Sequence, residues 1–307
     1  MAAFILRRLG FTVFVLWGAI TLVFVVMRVI PGDPALVILG PEATAVEVAA
    51  LRAEMGLDEP ILLQYIVYLG QALRLDFGES IRLGGDAMTR VLERLPMTMM
   101  LALSAFALAI VAGMVLGTVS ALRSGRVIDK VITGMTLVTQ SLPKFWIGLI
   151  LILLLSRGLN LLPSGGADSP AHYIMPVFTL SLGFMALVTR LTRSGLLEVM
   201  NQGYIDTARS KGLPEWRVVM PHALRNTLIP LVTVMGLQFG GILGGSAVLE
   251  TVFSWPGVGR LIIDSIGFRD YGVVQAGVLL FAANFAIANL IVDVLYGYLD
   301  PRVRARN

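Results

Sequence analysis

The sequence predicts an all-α integral membrane protein with six transmembrane helices and both termini in the cytoplasm. Of its 307 residues, 56% are hydrophobic and only 14% are charged. A soluble globular domain carries about 25% charged residues, so this composition indicates a chain that lies within a lipid bilayer. Six apolar stretches reach or approach the roughly 20 residues that a membrane-spanning helix needs.

The first predicted span covers residues 9–29 and follows Arg7 and Arg8, as the core of a signal peptide would. Its apolar run exceeds the roughly 7–15 residues of such a core, and no small-residue cleavage site follows, so we interpret it as a retained span. The other spans are predicted at 97–122, 131–156, 173–193, 226–249 and 271–295.

An external segment, residues 31–96, separates the first two spans. The sequence Pro31-Gly32-Asp33-Pro34 ends the first helix, because proline lacks a donor N–H and clashes with the preceding turn. Further along, apolar residues recur at helical spacing and predict a short amphipathic helix at the outer interface or on the rim of the bundle: Ile61, Leu62, Tyr65, Ile66, Leu69 and Leu73.

Orientation follows from the charges between the spans, because cytoplasmic loops carry an excess of Lys and Arg. With both ends inside, the segments on that side carry +9 and the opposite segments −6. The basic tail (Arg302, Arg304 and Arg306) belongs to the positive side, and the loop at 250–270 belongs to the acidic side.

Glycines four residues apart occur within two predicted spans: Gly113 with Gly117, Gly240 with Gly244, and Gly241 with Gly245. Small residues at this spacing let helix backbones approach closely. We interpret them as packing positions; a subunit-dimer face or a flexible pore helix is the alternative.

Several kinds of chemistry have no support in the sequence. It has no cysteine and two histidines, so no metal centre is expected, and it lacks a phosphate-binding loop and a convincing nucleophile set. Ion-coupled transporters usually need ionisable groups at mid-membrane. In this sequence Lys144 is the single ionisable residue deep in a predicted span, so the sequence shows no energy source of its own. A transporter of this kind either takes its energy from a partner or acts as a channel.

Residues 208–226 form a basic stretch between two apolar runs. Gly212 stands where a helix end needs a left-handed residue, Pro214 suits a first helical position, and Ala208 is small enough for another surface to approach. This pattern predicts two short helices joined by a sharp turn that docks a protein. A solvated positive loop is the alternative.

The same stretch carries a resemblance to a known family. Asp206-Thr207-Ala208, then Gly212 and a basic helix ending at Ile229-Pro230, resembles the EAA loop of ABC importer permeases, with Asp-Thr in place of Glu-Ala. Motifs along the whole chain are similar to permeases of the dipeptide/oligopeptide/nickel group, in particular the first permease of a dipeptide or glutathione importer: Asp76-Phe77-Gly78-Glu79-Ser80, His222-Ala223-Leu224-Arg225-Asn226, Trp255-Pro256-Gly257-Val258-Gly259-Arg260 and Arg269-Asp270-Tyr271.

The resemblance implies a non-catalytic subunit of the bacterial or archaeal cytoplasmic membrane. A second permease, two ATPase subunits that carry the ATP and Mg, and a periplasmic or lipid-anchored solute-binding protein would be its partners; no nucleic acid and no cofactor of its own are expected. The loop at 200–222 would be a cytoplasmic coupling helix, with these residues at the ATPase: Asp206, Thr207, Ala208, Arg209, Lys211, Gly212, Leu213, Pro214 and Arg217.

Polar residues within spans are candidates for the substrate path: Gln140, Lys144, Gln238 and Asn284. Lys144 follows Pro143, which breaks the helix, and would attract a substrate carboxylate. The alternative for Lys144 is a snorkelling lysine or one paired with another residue. For the three amides, the alternative is a hydrogen bond between helices. The external loop supplies the predicted outer gate or binding-protein platform: Glu250, Phe253, Trp255 and Arg260.

Peptides or glutathione-like peptides are thus the expected cargo. A nickel or other small-solute importer is a variant of the same interpretation. Two alternatives belong to other classes of protein. A stand-alone channel or secondary transporter would conduct solute without ATP. An integral-membrane enzyme would turn over a substrate without other subunits.

Overall fold

The computed structural model describes the backbone of residues 2–29 and 33–299, with the side chains in those ranges except at 2–5, 34, 225, 226, 228–233, 235–237 and 291–299. The predicted turn at Pro31 and Gly32 and the basic tail at Arg302, Arg304 and Arg306 lie outside these residues, as do the side chains of Ile229 and Pro230.

The described chain is built of α-helices, in the order α1 (Ala2–Val29), α2 (Pro34–Leu39), α3 (Ala45–Glu54), α4 (Ile61–Leu73), α5 (Ala87–Leu122), α6 (Val127–Ser141), α7 (Lys144–Leu151), α8 (Ala171–Met200), α9 (Gly203–Ser210), α10 (Glu215–Val218), α11 (Arg225–Val252), α12 (Val258–Gly267) and α13 (Tyr271–Leu299). Two π-helical turns, Ile152–Gly158 and Val219–Leu224, extend α7 and α10.

The all-α membrane fold predicted from composition is confirmed. Among the described residues, four helices are long and apolar enough to cross a membrane: the Leu6–Val29 part of α1, α5, α8 and the Tyr271–Leu290 part of α13. The predicted span at 226–249 falls within α11, whose first half has few described side chains. The count of six spans and the placement of both termini in the cytoplasm stay predictions.

The segment predicted as one span at 131–156 forms two helices, α6 and α7, with a bend of 106° between them. That the two helices together make one span stays a prediction. Pro143 is the N-cap of α7, and Leu142 before it is extended, with φ −94° and ψ 138°. The reason is steric, since proline disfavours the helical conformation of the residue before it. Lys144 therefore begins a new helix at the apex of the bend.

Contacts divide the chain into two compact units, residues 1–96 with 257–287 and residues 97–256 with 288–307. In the first unit, α4 packs on α1: the ring of Phe24 contacts Tyr65 and Tyr68, and the hydroxyl of Tyr65 bonds that of Thr21. The predicted apolar stripe of α4 is thus only partly buried, because Ile61, Leu62, Ile66 and Leu73 remain exposed.

The second unit is held together by α5, α8 and α11. Phe106 stacks on Phe184 of α8 and meets Phe239 of α11 edge to face, in a core that also contains Leu101, Leu180 and Leu243. Next to this core, α5 and α8 approach each other closely. A Cβ on Gly113 would lie 2.7 Å from the Cβ of Val188, and one on Gly117 would lie 2.6 Å from the carbonyl oxygen of Thr189.

An ion pair joins α6 to α8 in this unit. The guanidinium of Arg193 donates two parallel bonds to Asp129, from Nε to Oδ1 at 2.7 Å and from Nη2 to Oδ2 at 2.8 Å. The carboxylate also accepts from the hydroxyl of Ser120 on α5 and from the backbone N–H of Gly125. Asp129 is buried. One carboxylate therefore ties three helices together just before α8 reaches its end.

We expect Gly117→Ala to lower the melting temperature in detergent, followed by tryptophan fluorescence. The new methyl group would press on the backbone of α8, and overpacking of this kind costs about 1–3 kcal/mol. Gly134→Ala is the matched control, because a Cβ there meets nothing within 4 Å and alanine favours a helix. Equal melting temperatures for the two variants would contradict the close packing of α5 on α8.

We expect Arg193→Gln to destabilise the chain by about 3 kcal/mol, the lower end of the cost of breaking a buried ion pair, since it leaves Asp129 buried without a cation. Glu93→Gln is the control: it removes an exposed pair with Arg90, and such pairs contribute about 0–1 kcal/mol. The melting temperature of both variants is measured in the same way. If it falls no further in Arg193→Gln than in Glu93→Gln, burial of Asp129 does not depend on Arg193.

Candidate functional site

The predicted helix–turn–helix is present between α8 and α11. Helix α9 ends at Ser210, Lys211 follows as its C-cap, and Gly212 has φ +75°, the left-handed conformation that glycine adopts without steric cost. Pro214 differs slightly from its predicted place: it is the N-cap of α10, one residue before the first helical position. The turn is therefore short and depends on Gly212.

Charged side chains brace this turn from outside. Arg209 on α9 donates to both carboxylate oxygens of Glu215 on α10, with Nη2 2.9 Å from Oε1, and its Nη1 lies 3.6 Å from Asp206. The hydrogen bond from Arg209 lowers the pKa of Glu215 below its usual value of 4.5 and raises the pKa of Arg209 itself. Both are surface groups, so the pair orients the two helices more than it stabilises the chain.

Apolar side chains hold α9 and α10 to the end of α8. Ile205, Ala208 and Val218 are buried in one cluster with Leu196 and Val199. The small side chain of Ala208 faces this cluster and lets α9 lie close to the rest of it. That Ala208 also leaves room for another protein stays a prediction.

The outer surface of the turn combines cations with large apolar side chains. Asp206, Thr207, Lys211, Gly212, Pro214 and Arg217 are exposed, and Leu213 is partly buried. Sequence reasoning missed the apolar part of this surface: Trp216 is 63% exposed and Met220 57% exposed, and the guanidinium of Arg217 lies over the ring of Trp216. Their exposure depends on Val218 and Val219 facing inward, which the local sequence does not reveal.

The four candidate path residues are not all brought together. Lys144, Gln140 and Gln238 belong to the second unit, and Asn284 to the first. The side-chain amide of Asn284 donates to Leu280 of its own helix, 2.8 Å away. Gln140 and Gln238 are exposed, and no hydrogen bond in the described part of the chain joins either of them to Lys144. Lys144 lies against Gly183 of α8 and Gly245 of α11.

Three of the four residues predicted at the outer gate point inward. The side chains of Glu250, Phe253 and Trp255 are 0%, 1% and 0% exposed, and that of Arg260 is partly buried. The indole N–H of Trp255 donates to the backbone carbonyl of Met97, and the hydroxyls of Thr98 and Ser246 donate to Glu250. A docking surface here would have to use the neighbours of these three residues.

Comparison with known proteins agrees with this architecture. A chain in a crystal structure of an amino acid ABC transporter with histidines matches with a TM-score of 0.52 and 19% identity, over 70% of this chain and 94% of its own. At this identity the match supports the fold alone.

Relatives and family models cover the whole sequence. The glutathione transport system permease proteins of Salmonella choleraesuis and Escherichia coli are 42% and 40% identical over 306 and 304 residues, 99% of each chain. Residues 1–102 match the N-terminal part of the binding-protein-dependent transport system membrane components, and residues 109–305 match the model for the inner membrane component itself. The chain therefore belongs to the inner membrane components of binding-protein-dependent transport systems, the ABC importer permeases that its sequence resembles.

Proposed function

We propose that this permease forms half of the translocation path of an ATP-driven importer of di- or oligopeptides, including glutathione-like peptides. The observation that carries the proposal is the identity of 40–42% with glutathione transport system permease proteins along essentially the entire chain. The match covers 99% of this chain and 99% of each relative, so it is not confined to one part of the permease.

The surface formed by α9, the Gly212 turn and α10 seats on a cytoplasmic ATPase subunit. Its exposed residues suit a protein interface, because Trp216 and Met220 supply apolar contact area and Lys211 and Arg217 supply charge. Asp206 and Arg209 contribute by bracing, together with Glu215. The turn also includes Thr207, Leu213 and Pro214. Ala208 contributes by packing α9 against the cluster at the end of α8.

The remaining parts of the importer lie on other chains. ATP and Mg bind to two ATPase subunits, a second permease completes the path, and a solute-binding protein delivers the substrate from the side of residues 31–96 and 250–270. The chain performs no catalysis of its own and resides in a bacterial inner membrane with both ends in the cytoplasm. Lys144, Gln140 and Gln238 line the path within the second unit. Asn284, in the first unit, stays a candidate predicted from its sequence alone.

We expect Gly212→Val to abolish or strongly reduce ATP-driven uptake while the chain remains in the membrane. A β-branched residue opposes φ +75° at that position, so the turn would rearrange and displace Trp216. Gly203→Val is the matched control in the same loop, where φ is not positive and a Cβ meets nothing within 4 Å. Normal uptake by Gly212→Val with ATPase subunits still bound would exclude a coupling role for the turn.

The whole proposal is tested by purifying the tagged chain from its native membrane in mild detergent. We expect a second permease and ATPase subunits to copurify, identified by mass spectrometry, with ATP hydrolysis in the sample and ATP-dependent peptide uptake after reconstitution. A lone chain that conducts solute in liposomes without ATP would overturn the proposal.

A further inference from the structure

The position of Lys144 beside two glycines is the starting point. A Cβ on Gly183 would lie 3.1 Å from Cε and 3.6 Å from Nζ of Lys144, and a Cβ on Gly245 would lie 3.9 Å from Nζ. The ammonium group therefore lies against the backbones of α8 and α11, in space that any other residue at Gly183 would narrow. Since Gly183 is near the middle of α8, the charge is far from both ends of that apolar helix.

The cation has no counter-ion in the part of the chain that the structure describes. No ion pair or hydrogen bond joins the Nζ of Lys144 to a described residue, and Lys144 is only partly buried. An ammonium group at such a depth does not face hydrocarbon, because its transfer into lipid is costly; it faces protein or a water-filled cavity. The alternative of a lysine partnered within its own chain therefore has no support among the described residues.

The surface of α11 next to this charge is open and polar. Gln238, Gly241, Gly244 and Val248 are exposed at helical spacing, and a Cβ on Gly241 or Gly244 would meet nothing within 4 Å. The exposed glycines thus leave room along α11 for a peptide chain, and Gln238 adds one amide to that surface. Bulky apolar side chains, which would suit lipid or a packed helix, are few here.

We propose that Lys144 is the charge selector of the path, pairing with a carboxylate of the passing peptide and favouring peptides of net negative charge. Gly183 is its positioning residue, since it leaves room for the ammonium against α8. This inference rests on the proposed function and adds to it the substrate class, anionic peptides. The bent pair α6–α7 contributes by placing Lys144 at the start of α7, with its side chain against α8 and α11.

The test uses the complete importer in liposomes, with binding protein loaded to saturation. Initial ATP-driven uptake is measured for two tripeptides that differ only by Glu in place of Gln. We expect the wild type to favour the Glu peptide, Lys144→Met to lower the Glu/Gln uptake ratio about tenfold, as the loss of a charge-assisted bond allows, and Lys144→Arg to retain most of the preference.

The positioning role has its own matched pair. Gly183→Ala should lower the Glu/Gln ratio by displacing the ammonium, whereas Gly134→Ala on α6, where a Cβ meets nothing within 4 Å, should leave it unchanged. Comparison of these two glycine variants tests the charge selector even if Lys144→Met fails to assemble. An unchanged ratio in Gly183→Ala and in an assembled Lys144→Met, with uptake intact, overturns the charge selector alone. Absence of ATP-driven uptake of both peptides by the wild type overturns the proposed function as well.

Discussion

Burial of the Asp129 carboxylate is the constraint on which the second unit depends. A buried carboxylate without partners is strongly destabilising, and this one is satisfied by Arg193 of α8, Ser120 of α5 and the N–H of Gly125 together. These groups meet only if α5, α6 and α8 hold one relative arrangement. Because α8 continues from Arg193 directly to the cluster that seats α9, the Gly212 turn is connected to the same three helices through packed side chains.

Glycine serves opposite purposes along this unit. Gly113 and Gly117 bring α5 against the backbone of α8, so their missing side chains create contact. Gly241 and Gly244 on α11 face open space, so their missing side chains create room. In the sequence, Gly241 and Gly244 belong to pairs spaced four residues apart, as Gly113 and Gly117 do, so spacing alone does not distinguish the two kinds of position. The distinction arises from neighbours that are far away in the sequence, such as Val188 and Thr189 for the first pair.

Sequence patterns predicted the features that local physics determines. Apolar length located the long helices, and Gly212 located the sharp turn, because each signal lies within the segment itself. The break between α6 and α7 is local as well, because Pro143 disfavours a helical conformation at Leu142. The direction of a side chain has no such signal, and the inward orientation of Ala208 and the burial of Glu250, Phe253 and Trp255 depend on what packs against them. The Asp129–Arg193 pair joins residues 64 positions apart, and nothing in the sequence near either residue points to the other.

Helix α8 connects the two proposed functions of the chain. Arg193 lies ten residues after Gly183, about 15 Å along the helix axis at 1.5 Å per residue, and each makes a specific contact with the bent pair α6–α7. Arg193 donates two hydrogen bonds to Asp129 on α6. Gly183 lies close to Lys144 of α7 but makes no hydrogen bond to its side chain. A tilt of α8 driven from the Gly212 turn would therefore pivot at the Arg193–Asp129 contact and change the space around the ammonium. Binding of the substrate carboxylate and movement of the ATPase would then be coupled through a single rigid helix.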